Sequence, residues 1–98
     1  MSESTLTLTV RLQARDGQAA ALEQELFSLV APTRAEEGCL TYDLYRAAET
    51  PGLFMLHEAW TSREHHTRHT RTPHFLHWNE RKDSLLADRE ASFWNKIR

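Results

Sequence analysis

Residues 53–75 read LFMLHEAWTSREHHTRHTRTPHF, and the rest of the chain is arranged around what this stretch has to do. Its first eight residues alternate with period two, which places Phe54, Leu56, Glu58 and Trp60 on one face of a strand and Met55, His57 and Ala59 on the other. An acid, Glu58, therefore shares a face with apolar neighbours. Residues 62–72 are expected to form a helix, with Thr61 or Ser62 as N-cap, Glu64 in the first turn where the helix dipole favours an anion, and Pro73 as its end. That helix contains no Leu, Ile, Val, Phe, Met or Ala. His66, His69 and Thr70 fall at i, i+3 and i+4, on one face. A helix lying on a sheet usually offers aliphatic side chains there, so this polar face is expected to line a cavity close to Glu58 and Trp60.

Upstream, residues 5–12 (TLTLTVRL) alternate without a break and predict a half-buried strand with Leu6, Leu8, Val10 and Leu12 inward. After Asp16-Gly17 the period changes to that of a helix, with Ala19, Leu22, Leu26, Leu29, Val30 and Thr33 on one face. Pro32 predicts a kink or a fresh turn, and Gly38 a C-cap. Residues 39–46 (CLTYDLYR) alternate again, with Leu40, Tyr42 and Leu44 expected on one face, and the short link 47–52 (AAETPG) predicts an antiparallel hairpin. Downstream, Thr72-Pro73 reads as an N-cap followed by proline at the first helical position, and Phe75, Trp78, Lys82 and Leu85 form a helical stripe. A last strand is expected over residues 91–97. The order β-α-β-β-α-β, with the second helix broken at Pro73, is the ferredoxin-like α+β plan, an antiparallel sheet with helices on one face. The other face would carry Thr7, Thr9, Thr41, Tyr45, Met55, His57 and Trp94, and a homodimer packed sheet to sheet would cover it.

The 98 residues suffice for one domain, spanning 1–98. A net charge of −2 and a pI of about 6.3 provide no global basic field for nucleic acid. All six histidines lie between His57 and His77, among several arginines, so this region gains positive charge as pH falls. The single Cys39 rules out an internal disulfide or a multi-cysteine zinc site, reads as a small buried filler, and fits a reducing, cytoplasmic setting. The N-terminal ten residues show no basic segment followed by an apolar run, and no stretch approaches a membrane span, so neither export nor membrane insertion is expected. His65 and His69 have the i, i+4 spacing of helical zinc ligands, but no glutamate lies between them and the adjacent His65 and His66 diverge by about 100° around the helix. No metal is expected.

Three stretches occur together in a recognisable order: Glu37-Gly38-Cys39-Leu40 followed by Tyr42; residues 54–60 with Glu58, followed by Ser62 and Glu64; and His69 followed by Thr72-Pro73-His74-Phe75. In these the chain resembles the antibiotic biosynthesis monooxygenase domain family over nearly its whole length. The resemblance implies a dimeric α+β barrel of ferredoxin-like halves, akin to the small quinol monooxygenases that work without a cofactor, and it carries the family's recurrent polar and aromatic positions onto Tyr42, Glu58, Trp60, His69, His74 and Phe75. Two positions depart from it. His66 stands where relatives commonly hold Leu, and His57 where an aromatic residue such as Tyr is common, so the pocket is expected to be more polar than usual.

A monooxygenase without a cofactor needs a substrate, such as a quinol or polycyclic phenol, that can itself reduce O2; the protein supplies deprotonation and desolvation. The expected assignment makes His69 the base and Glu58 the group that orients or charges it. Trp60 and Phe75 would sandwich the aromatic ring, Tyr42 would hydrogen-bond a substrate oxygen, and His66 and His74 would complete the binding surface. Two other functions fit the same pocket: a ligand-binding module without turnover, and an isomerase of a small oxygenated or phosphorylated compound held by His and Arg side chains.

Overall fold

A computed structural model describes residues 5–98; the first four residues of the N-terminal stretch read above for export signals lie outside it. The elements run β1 (Leu6–Ala14), α1 (Ala19–Arg34), β2 (Cys39–Arg46), β3 (Leu53–Trp60), α2 (Arg63–His69), α3 (Pro73–Leu85) and β4 (Leu86–Trp94). All neighbouring strands are antiparallel, in the order β2-β3-β1-β4. This is the ferredoxin-like α+β fold. Among the described residues no helix is long and apolar enough to cross a membrane.

The alternation of β1 and β3 converts directly into burial. Leu6, Leu8, Val10, Leu12, Phe54, Leu56, Glu58 and Trp60 are all buried, and the register sets Leu8 opposite Glu58, Val10 opposite Leu56 and Leu12 opposite Phe54. Against this face α1 buries Leu22, Leu26 and Leu29, each contributing about 2 kcal/mol relative to exposure. Helix α3 adds Trp78 and Leu85 from the expected stripe. No helix among the described residues covers the opposite sheet face, and there Tyr45 is 47% and Trp94 55% exposed, with the Trp94 indole Nε1–H donating to Thr9 Oγ1 at 2.8 Å.

Three local expectations change. Helix α1 runs unbroken through Pro32 and ends at Arg34, and Gly38 closes the following turn instead of capping the helix. Pro32 lacks the N–H that would bond the Ser28 carbonyl one turn back, and the helix continues for two residues beyond it. In β2 a bulge between Cys39 and Thr41 pairs Cys39 with Trp60 and Thr41 with Ala59, so Leu40, expected beside Tyr42, is 60% exposed. Strand β4 begins at Leu86, directly after α3, and ends at Trp94, so Ile97, expected to alternate within it, is 97% exposed. Charged residues at Asp88, Arg89 and Glu90 conceal this edge strand from a hydrophobic reading.

The turn between α1 and β2 governs the site. Gly38 has φ +85°, its carbonyl accepts from the Thr61 N–H at 2.8 Å, and Cys39 N–H donates to Glu36 O at 3.2 Å. A Cβ at Gly38 would lie 2.3 Å from the His65 ring and 2.7 Å from its Cβ, whereas one at Gly17, with φ +78°, meets nothing within 4 Å. Gly38→Ala is therefore expected to cost about 3 kcal/mol or more in urea denaturation, and Gly17→Ala only about 1 kcal/mol, the price of the left-handed backbone alone.

Candidate active site

Ser62 caps α2: its Oγ accepts from the His65 N–H at 3.3 Å and lies 2.8 Å from His65 Nδ1. Thr72 caps α3, accepting from the Phe75 N–H at 3.3 Å while donating its own hydroxyl to His69 O at 2.8 Å. Two caps thus fix the short polar helix at both ends, and its inward residue, His69, is 1% exposed. The His69 ring lies 4.8 Å from the Trp60 ring, 5.0 Å from Phe75 and 5.8 Å from Tyr42, centroid to centroid.

The partner of His69 is Glu36. Its Oε2 lies 2.7 Å from His69 Nδ1 and also 2.7 Å from His74 Nε2. An ionised carboxylate can only accept, so both rings turn an N–H toward it, and His69 is held as the Nδ1–H tautomer with Nε2 carrying the lone pair. Nε2 has no protein partner among the described residues. Burial lowers the His69 pKa while the Glu36 hydrogen bond and charge oppose that shift, so the ring is neutral and basic near neutral pH.

A cavity of about 90 Å³ opens between the inner sheet face and the helices, with Tyr42, Glu58, His66, His69 and Phe75 in its wall and Arg89, Ala91 and Phe93 of β4 at its side. By register these β4 residues face inward, opposite Leu12, Val10 and Leu8, yet remain exposed. The mouth lies there. Burial and the Glu58 charge push the Tyr42 phenol above its ordinary range, against a smaller opposing pull from the Thr33 hydroxyl. That Thr33 Oγ1 is buried and outside hydrogen-bonding geometry. Burial, helped by the neighbouring His69 and Arg63, lowers His66 to about 4. Burial raises Glu58 to about 7, opposed by the Trp60 indole Nε1–H donating to its Oε1 at 3.1 Å and by the charge of Arg89. Burial, reinforced by Glu36 and Glu58, raises the Cys39 thiol to about 11, which makes it a poor nucleophile.

The predicted residues are therefore brought together, but in different roles. Glu58 does not orient His69; its carboxyl is engaged by Trp60, and Glu36 holds the histidine. Trp60, fully buried, packs behind His69 and does not line the cavity, so the expected sandwich with Phe75 does not form in this chain. His74 also lies outside the cavity wall and braces Glu36 from α3. Glu36 escaped the sequence reading because 33 residues separate it from His69; the usable signal was the adjoining Gly38, whose turn positions it.

The profile of the antibiotic biosynthesis monooxygenase family matches residues 5–81. The chain belongs to this family. It is 35% identical over 84 residues, covering 86% of this chain and 82% of the relative, to the Mycobacterium tuberculosis protein named "Putative monooxygenase Rv0793". The solved structure of Rv0793 superposes with a TM-score of 0.91 at 30% identity, covering 97% of each chain. The crystal structure of PA3566 from Pseudomonas aeruginosa superposes with a TM-score of 0.95 at 37% identity, covering 100% of this chain and 99% of that one. The arrangement of sheet, polar helix and cavity thus stands on a family scaffold.

The raised Glu58 pKa has a stability consequence. Between pH 4.5, its ordinary value, and about 7, the folded protein keeps a proton that the unfolded chain has released, so rising pH weakens the fold through this window. Glu58→Gln retains the acceptor for Trp60 and removes the titration. The variant is expected to gain on wild type from pH 4.5 upward, by about 3 kcal/mol above pH 7, and to match it below pH 4.5, as read by chemical denaturation across pH.

Proposed function

We propose that this protein is a cofactor-independent monooxygenase acting on a small aromatic quinol or phenol with O2. The observation that carries the reading is the Glu36–His69 hydrogen bond of 2.7 Å at the wall of the cavity. It leaves His69 Nε2 as a base with a fixed direction, buried among aromatic rings, which is the chemistry that deprotonation of a bound phenol requires. The family's name and that of its Mycobacterium tuberculosis relative support oxygenation as the outcome.

In this scheme His69 Nε2 takes the phenolic proton and Glu36 stabilises the imidazolium that results. The phenolate gives electrons to O2; one oxygen atom enters the ring in place of hydrogen and the other leaves as water, so a phenol becomes a quinone with no outside reductant. Tyr42, neutral throughout, offers its hydroxyl to a substrate oxygen, while Phe75 and His66 confine the ring and exclude water. Glu58, with a pKa of about 7, can return a proton to the departing oxygen. The uncovered sheet face carrying Tyr45 and Trp94 pairs with its copy in a homodimer, expected in sedimentation equilibrium at twice the chain mass of 11.4 kDa.

Oxygen uptake by chelator-treated protein with a panel of quinols and polycyclic phenols tests the reading. His69→Ala is expected to lower uptake at least about 100-fold, and Glu36→Gln about 10- to 100-fold, with both variants still folded. Because His69 titrates below its ordinary 6.5, the acid limb of kcat/KM is expected below that pH. Uptake no faster than autoxidation across the panel, with phenols still raising the melting temperature, would refute the oxygenase reading in favour of a binding module; a rearranged product formed without oxygen would identify an isomerase.

A further inference from the structure

The cavity mixes apolar side chains with Tyr42, Glu58, His66 and His69, and Arg89 is the one Lys or Arg side chain in its lining. Arg89 faces inward opposite Leu12 and lines the cavity, and its charge acts on both Glu58 and His66. The ion pairs of Arg11, Arg34, Arg46, Arg68 and Arg81 are all satisfied by carboxylates, and Arg63 lies over the Phe93 ring at 5.5 Å. Arg89 has no such partner among the described residues. Within the cavity the only acid is Glu58, whose carboxyl accepts from the Trp60 indole N–H and whose burial favours its protonated form, and it makes no ion pair with Arg89. The space behind it, about 90 Å³ between Tyr42, His69 and Phe75, suits a single ring.

We propose that Arg89 determines the specificity of this cavity, and that its ligands are single-ring hydroxylated aromatics bearing a carboxylate, the hydroxyl placed toward His69 and the carboxylate paired with the Arg89 guanidinium at the mouth. The planar fork of arginine matches a carboxylate with two parallel N–H donors, and at the mouth it can do so without bringing the charge into the interior. The proposal narrows the substrate class of the quinol site and rests on that reading for the placement of the hydroxyl.

Hydroquinone and 2,5-dihydroxybenzoate differ by one carboxylate, and their binding under anaerobic conditions can be measured by titration calorimetry. Wild type is expected to bind 2,5-dihydroxybenzoate at least about tenfold more tightly than hydroquinone. Arg89→Gln is expected to abolish that preference by weakening 2,5-dihydroxybenzoate more than hydroquinone, and Arg89→Lys to keep part of it, with thermal unfolding verifying that each variant is folded. Equal affinities in wild type, a preference that survives in Arg89→Gln, or no binding of either compound at millimolar concentration would each overturn the proposal. Oxygen uptake on the same wild-type samples separates the two readings. A carboxylate preference without uptake refutes the oxygenase and leaves Arg89 as the anion-recognising residue; uptake without the preference does the reverse.

Discussion

A histidine taken almost wholly out of water must still satisfy its ring, and the interaction that does so here is the contact between His69 and Glu36. One carboxylate oxygen serves two imidazoles, His69 from α2 and His74 from α3, and so ties the loop after α1 to both helices that follow β3. A buried polar group without a partner costs on the order of 1–3 kcal/mol, more when charged. The shared carboxylate avoids that cost for both rings, and on His69 it leaves Nε2 as the unengaged nitrogen. Everything about the cavity's chemistry depends on which nitrogen that is.

This pairing explains why α2 can be a helix with no aliphatic residue. Its seven residues are held by polar contacts: Ser62 at one end, Thr72 at the other, and Glu36 across the interface. Trp60 packs against His69, its ring tilted by 35° at 4.8 Å between centroids, and donates its indole N–H to Glu58. The sheet and the remaining helices supply ordinary hydrophobic burial, so the polar cluster need not hold the fold together. It needs only to be rigid, and the Gly38 turn and two helix caps make it so.

The electrostatic consequence is an enclosed space whose groups are mostly neutral. Burial holds Glu58 and Tyr42 toward their protonated forms and His66 and His69 toward their neutral ones. At the rim β4 exposes Arg89 and Phe93, and Arg89 is the one Lys or Arg side chain in the cavity lining. Such a pocket admits a phenol in its neutral form and offers one oriented base to ionise it, which is the division of labour that the proposed oxygenase chemistry requires.

Most of the architecture could be read from local patterning. Two-residue alternation in β1 and β3, the helical stripes of α1 and α3, the Thr72-Pro73 start and the Asp16-Gly17 and Pro51-Gly52 turns each set the geometry of a few consecutive residues, and burial followed that geometry. The same patterning put Glu58 in the interior and His66 and His69 on one face, because a strand's faces and a helix's faces depend only on spacing. Reading by spacing failed where an extra residue or a distant partner intervened. The β2 bulge reversed the facing of Leu40, the charges of β4 masked its start, and Glu36 reached His69 across 33 residues through a turn whose path no local period encodes. Sequence spacing thus established which side chains enter the interior, since that follows from backbone periodicity. Which carboxylate meets which histidine, and which ring nitrogen is left basic, followed only from how loop, strand and helix ends converge in space.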